Sequence, residues 1–183
     1  NQVTIIFGFF WKNSLLVELM WVHEHCITVK LSFRGSSILF YFVYDSCDVL
    51  RRRELWDYLV SFTTSYFPWF VGGDANALID ISDKSGGSLL LKNSMLDFNR
   101  FIASKGLFDL GLIGSKFTWF NKRKGGYRIG YRLDRCFTNI QGHYSFSGAS
   151  VDHLIRGISN HSPILVKLVQ GNQDFSCFLY SAD

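Results

Sequence analysis

The chain has 183 residues, 48% of them hydrophobic and 17% aromatic, and carries a net charge of +4 at neutral pH. That length and apolar content support one buried core in one domain and exclude a disordered tail. The longest apolar runs, TIIFGFFW (4–11) and SSILFYFVY (36–44), fall short of the roughly 18 residues a spanning helix needs, so no membrane segment is expected.

In chain order, residues 3–11, 15–22, 26–33 and 37–44 are rich in β-branched and aromatic side chains and are separated by short polar turns, which predicts consecutive antiparallel strands. The first residues carry no initiator Met, basic n-region or small-residue cleavage site; they predict no signal peptide and read as a chain opened partway. HEHC (23–26) offers metal-binding side chains, but alternate strand residues face opposite ways and no second cluster follows, which favours an exposed strand end. Cys26, Cys47, Cys136 and Cys177 are scattered with no C-x-x-C pair, so reduced thiols in an intracellular protein are expected.

Residues 48–66 set Leu55, Leu59 and Phe62 at helical spacing behind Asp48 as a cap, and Pro68 bars continuation. PWFVGG (68–73) is apolar throughout and reads as a strand covered on both faces. A second helix is predicted over 93–106, with Ser94 and Asp97 in a capping-box arrangement, Met95, Phe98, Phe101 and Ile102 on one side, and Gly106 as its stop. Further strands are expected at 116–120, 131–138 and 162–168. Strands with helices interposed predict sheet layers covered by helices.

Charge is concentrated between Ser115 and Arg135, where Lys116, Lys122, Arg123, Lys124, Arg128, Arg132 and Arg135 face the single acid Asp134. Interleaved with Phe117, Trp119, Phe120, Tyr127 and Tyr131, this stretch is either a phosphate-backbone contact surface or a solvated hairpin with its rings turned to the core.

The chemistry-bearing residues follow. Asp74 and Asn76, at i and i+2 past an apolar strand, point the same way if the extended geometry lasts that far; a carboxylate there can orient a water and an amide can bond a phosphoryl oxygen. The other reading is an Asx turn bonding its own backbone. Asp134, in an apolar strand bracketed by arginines, needs a partner if buried. His161, ahead of an apolar strand, is either a satisfied structural histidine or a base whose tautomer a carboxylate such as Asp134 fixes. Asn160-His161-Ser162 fits the N-glycosylation pattern, which matters only in a secreted protein, and nothing in the sequence indicates secretion.

PWFVGGDANALIDISDKSGGS, FIASKGLFDLGLIGSKFTWFNKRKGG, YRLDRCF and SNHSPILV, in that order, resemble the endonuclease/exonuclease/phosphatase superfamily, and most closely the endonuclease-like domains of plant non-LTR retrotransposons. The likeness runs from about residue 3 to residue 168. It implies an α/β fold, a two-sheet α/β sandwich lacking its first strands, with the active site at one edge of the paired sheets; the domain would cover 1–168, with 169–183 an unplaced tail. It implies Mg2+-assisted attack of water on a phosphodiester, DNA as substrate, a reverse transcriptase domain as partner in an intact element, no small-molecule cofactor and a nuclear location. Carried over by position, Asp74 orients the water, Asn76 binds the phosphate, and His161, partnered by Asp134, contacts the scissile phosphate. Thr118, Trp119, Asn121, Lys122, Arg123, Lys124, Arg128 and Arg132 form the nucleic-acid-binding strand and loop.

Three departures accompany the likeness. Ser159-Asn160-His161 stands where the family has Ser-Asp-His, so Asn160 puts a neutral amide at a metal-ligand position. The strands bringing the family's Asn and metal-binding Glu are expected upstream of residue 1, since Glu18 and Glu24 fall in strands that match later parts of the family; their loss predicts an unpaired sheet edge. Ala75 replaces a large apolar residue, a change that costs about 3–5 kcal/mol when nothing refills the space. The expectation is a DNA-nicking endonuclease impaired in this copy, the alternative a dead copy that at most binds nucleic acid.

Overall fold

A computed structural model describes residues 16–33, 35–62, 66–88, 93–171 and 173–179; the strand predicted at 3–11 lies outside them. The predicted meander is present as Leu16–His23 (β1), Cys26–Phe33 (β2) and Ser36–Tyr44 (β3), with antiparallel registers from Leu16↔Ser32 to His23↔Cys26 and from Cys26↔Val43 to Phe33↔Ser36. HEHC spans the turn between β1 and β2. His23 stacks on Tyr58, and His25 Nδ1 lies 3.1 Å from the Tyr44 carbonyl, so the histidines are used locally.

Val49–Phe62 (α1) starts where predicted, because Asp48 Oδ1 accepts from the N–H groups of Leu50 (2.8 Å) and Arg51 (3.1 Å). Trp69–Asp74 (β4) is buried along its whole length, as a strand covered on both faces must be. After Lys84–Ser85 (β5) comes the second predicted helix, Asn93–Ser104 (α2); the side chain of Ser94, and with it the predicted capping box, lies outside what the structure describes. Asp97 reaches across to Arg53 on α1 at 2.7 Å. Gly106, at φ +56, takes the left-handed conformation that ends a helix.

Short pairings follow: Phe108–Asp109 (β6), Ile113–Gly114 (β7), Trp119–Phe120 (β8) and Gly130–Tyr131 (β9). The chain closes with Asp134–Thr138 (β10), Ile140–Ser145 (α3), Ser150–His153 (β11), Ile164–Gln170 (β12) and Gln173–Leu179 (β13). The strand predicted over 131–138 is two strands in two sheets. Arg132 and Leu133 donate their N–H groups to the Asp83 carbonyl and the Thr118 hydroxyl rather than to a neighbouring strand, which breaks the ladder. Of the strand predicted at 116–120, only Trp119–Phe120 pairs. The segment beyond 168, unassigned from sequence, supplies β13, which pairs with β12 from Ile164↔Leu179 to Gln170↔Gln173.

A six-stranded sheet runs β1-β2-β3-β4-β10-β6, a four-stranded sheet β13-β12-β11-β7, and a three-stranded sheet β5-β9-β8. Alternation along β3 and β4 builds two cores. Ile38, Phe40, Phe42 and Phe70 face the four-stranded sheet and meet Val151, Ile164, Val166, Leu168 and Leu179. Tyr41, Val43, Trp69 and Val71 face the helices and meet Leu55, Trp56, Leu59, Phe98 and Phe101. The result is a mixed α/β sandwich with α1 and α2 on one face of the larger sheet. Ala75, 2% exposed, belongs to the helix-side core. A void of only about 10 Å³ remains beside it, lined by Trp56, Phe98 and Phe137 among others, so neighbouring rings refill the space a large side chain would take. Among the described residues β1 ends the large sheet, with Leu19 63% exposed.

Candidate active site

The site grows out of the C-terminal end of β4. Asp74, its last residue, is the register partner of Asp134, the first residue of β10, and of Tyr44 on the parallel side. The two carboxylates are therefore placed by strand pairing alone. The glycines before Asp74 make this possible: Gly73, at φ +131, could carry no side chain without striking the Val43 carbonyl, and a side chain on Gly72 would crowd Cys136 Sγ and Leu179.

Asn76 does not extend the strand. At φ +43 it is left-handed, and its N–H donates to Asp74 Oδ1 (2.9 Å), which is an Asx turn. The same turn swings the side chain round, so Nδ2 donates to Asp74 Oδ2 (3.2 Å) and to the Asp45 carbonyl (2.7 Å). The two readings of G-D-A-N are one geometry: Asn76 converges on the Asp74 carboxylate through a turn.

His161 arrives from the other sheet. Its loop is tied to β8 by Ser162 N–H to the Thr118 carbonyl (2.6 Å) and Phe120 N–H to the Asn160 carbonyl (3.1 Å). The ring enters between the acids, Nδ1 at 3.0 Å from Asp134 Oδ2 and Nε2 at 3.7 Å from Asp74 Oδ2. Asp74, Asp134 and His161 are 1%, 3% and 4% exposed, so this charge-bearing trio sits in low dielectric where each group depends on the others. Their ligand-capable atoms lie within 4.8 Å of one another, the one such grouping of His, Cys, Asp and Glu among the described residues.

Comparison with protein-family models and with curated proteins finds no match. Solved structures do match. The endonuclease domain of TRAS1, a telomere-specific non-LTR retrotransposon, superposes with a TM-score of 0.64 at 19% identity, over 92% of this chain and 69% of that one. The 3′ phosphatase NExo from Neisseria, bound to product DNA hairpin, gives 0.56 at 11% identity over 97% and 80%. Truncated Caenorhabditis elegans TDP2 gives 0.52 at 12% identity over 96% and 76%. The fold is that of the endonuclease/exonuclease/phosphatase proteins.

Within that fold several of the residues singled out from sequence have other duties. Thr118 is fully buried, and its hydroxyl accepts from the N–H groups of Leu133 and Asp134, both at 3.1 Å. It holds Asp134 in place and presents no face on which nucleic acid could rest. Arg132, 9% exposed, is spent on Asp109 (3.2 Å) and the Gly111 carbonyl (2.9 Å), because an unpaired guanidinium at that depth is costly. Arg135 is likewise buried, paired with Asp83 and Asp109. The Asn121 side chain closes its own loop, bonding Tyr127 O (2.9 Å) and Ile129 N (3.0 Å). What remains of the basic segment at the surface is Lys116, Lys122, Arg123, Lys124 and Arg128, with Tyr127 77% exposed; Trp119 is half-buried, stacked on Tyr131.

Asn160 immediately precedes His161 and brings no charge. Glu18 and Glu24 do not substitute for an acid at the site: they face Lys30 (3.8 Å) and Arg51 (3.5 Å) on the outer face of the molecule. An acid that sequence reading missed does lie close. Asp45 follows β3 as Ala75 follows β4, and it donates its N–H to the Asp74 carbonyl at 2.8 Å. It is 1% exposed, one oxygen accepts from Ser46 N (2.8 Å), and Oδ2 has no hydrogen-bond partner among the described residues. Burial pushes its carboxyl up to about 8, against the Ser46 hydrogen bond and Arg52, with Asp74 adding to the rise. The parallel register Tyr44↔Asp74 is the signal that could have found it, since the residue after β3 must lie beside the end of β4.

Magnesium takes oxygen ligands and is commonly bound through one or two carboxylates with water and substrate phosphate completing the shell. The donor set fits that mode. Asp134 faces His161 and Asp74 faces both Asn76 and His161, so the set offers one or two carboxylates to a cation and does not fit an all-protein cage.

Proposed function

We propose that this domain hydrolyses phosphodiesters in DNA as a nicking endonuclease of retrotransposon type, with a weakened hold on its cation. The observation that carries the reading is the assembly of Asp74, Asn76, Asp134 and His161, from two sheets, around one small volume at the end of the sandwich. Asp74 would orient the attacking water, and Asn76 would turn to a phosphoryl oxygen one of the two Nδ2 hydrogens that it gives to Asp74 and to the Asp45 carbonyl. His161, its Nδ1 facing Asp134, would present Nε2 to the phosphate and stabilise the charge that develops there. A divalent cation beside Asp74 would add Lewis-acid stabilisation of the same charge. The exposed cations of 122–128 would carry the DNA backbone. The likeness to the TRAS1 endonuclease domain and to NExo with its product DNA hairpin supports the substrate class. A reverse transcriptase as the adjoining partner and nuclear action follow from the retrotransposon reading.

A second reading, a DNA-binding module without catalysis, is favoured by Asn160, which leaves the site one carboxylate short of the sequence pattern it resembles. Nicking of supercoiled plasmid separates the two. Relaxed circles that require magnesium, stop with chelator and fall by at least about 100-fold in Asp74→Ala establish the enzyme. Under the proposal, Asn160→Asp lowers the magnesium concentration needed by about tenfold, one well-placed charge being worth on the order of 1–2 kcal/mol. A folded chain that never nicks, with or without Asn160→Asp, leaves the binding module.

A further inference from the structure

Phe120 ends β8 where the basic loop meets the loop 154–160, and its N–H is bonded to the Asn160 carbonyl at 3.1 Å. Its ring carries two cations. Arg128 Cζ lies 4.1 Å and Arg156 Cζ 4.6 Å from the ring centre, so the guanidinium carbons are at most 8.7 Å apart. Neither forms an ion pair among the described residues. Arg156 Nη1 is buried and has no hydrogen-bond partner there. Ile155 and Ile158 on the same loop are 96% and 95% exposed, whereas Arg156 is only partly exposed and lies over the Phe120 ring of β8.

That arrangement is costly without a ligand. Two like charges at this spacing repel, and a guanidinium N–H removed from water without an acceptor forfeits its hydrogen bond. The aromatic ring offsets part of the cost and fixes the planar forks, so that little further ordering accompanies binding. A tetrahedral dianion or diester oxygen pair is the acceptor geometry such forks match. We propose that Arg156 is a backbone-phosphate ligand, gripping with Arg128 a phosphate of the nucleic-acid strand adjacent to the one held at Asp74 and His161. The assignment rests on the nucleic-acid reading of that site and extends it to Arg156, which neither the charge pattern nor the motifs singled out.

The test is fluorescence anisotropy of a labelled DNA duplex in chelator, titrated across about 50–200 mM salt, with the wild-type chain, Arg156→Ala, Arg156→Gln and Arg156→Lys. Arg156→Ala is expected to weaken binding roughly tenfold and to reduce the slope of log K against log salt by about one, as the removal of a single phosphate anchor requires. Arg156→Gln keeps a polar side chain on the ring and gives the same slope change; should the alanine variant not fold, it carries the test alone. Arg156→Lys restores the slope but not the full affinity, since an ammonium cannot bind in bidentate fashion. Salt-dependent binding by the wild type with slope and affinity unchanged in Arg156→Gln overturns the assignment and leaves the nucleic-acid reading standing. A wild-type chain that does not bind DNA overturns both.

Discussion

The floor and the rim of the site are built by different means. On the floor, Asp74, Asp134 and His161 are all at most 4% exposed, and their positions are dictated by strand register and by backbone hydrogen bonds that tie two sheets together. On the rim, Lys122, Arg123, Lys124 and Arg128 stand in solvent on a loop that Asn121 closes with its own side chain, with left-handed residues at Lys122 and Gly125. The floor cannot shift by one residue without turning its acids to the other face of the sheet. The rim can change length and charge while the floor stays put. Chemistry is thus fixed by sheet geometry and recognition left to a loop, so each should fail separately.

The sharpest way to break the floor is through the ions beneath it. Arg135 follows Asp134, is 3% exposed, and is the cation shared by Asp83 and Asp109. Arg135→Ala would leave Asp83, 4% exposed, without its cation, while Asp109 keeps Arg132; losing one partner of a buried pair typically costs about 3–5 kcal/mol. Urea denaturation measures it. A loss under about 1 kcal/mol would mean that the network does not hold β10 and that register alone places Asp134.

A second test of the floor uses pH. Asp45 ionises near 8 when folded and near 3.8 when unfolded. Above about pH 4 the unfolded chain therefore releases a proton that the folded chain retains, and stability falls as pH rises until the folded group ionises as well. Between about pH 5 and pH 8 the loss attributable to this one group is about 3–4 kcal/mol. Asp45→Asn, neutral throughout, should flatten that stretch of the curve, measured by urea denaturation in chelator at several pH values. Parallel curves for the two proteins would show that the Asp45 carboxylate is already compensated in the folded state.

The same division explains what is legible in the sequence. The meander, both helices and β4 carry their own periodicity, and Asp48, Gly106 and Pro68 mark helix ends by local chemistry. Local chemistry alone asks for a partner only at Asp134, an acid in an apolar strand; Asp74 and His161 each keep a structural alternative, and it is the ordered motifs around them, through their resemblance to a known family, that name all three. Buried Arg132 and Arg135 are not distinguishable from exposed Lys122 and Arg123, because a charged residue declares neither its depth nor its distant partner, here Asp83 or Asp109. Thr118 reads as a surface residue for the same reason. Asp45 and Arg156 lie in stretches with no period at all, and only the register of β3 on β4 and the ring of Phe120 give them meaning. Beyond 168, the alternation of β13 is visible once β12 is there to pair with it; alone it is a short run with no signal of its own.

The mildest change tests the rim's independence. Replacing Lys122, Arg123 and Lys124 together with alanine removes three exposed charges that hold no ion pair among the described residues. Surface substitutions of this kind usually move stability by no more than about 0.5 kcal/mol each. The slope of log K for DNA against log salt, however, should fall by about two to three, roughly one unit for each phosphate left without its cation. Denaturation and anisotropy on one preparation read both effects. Weakened binding at unchanged stability leaves floor and rim separate. A large stability loss would mean that the loop helps hold β8, and through Thr118 and Phe120 holds Asp134 and His161 as well, so that recognition and chemistry share a support after all.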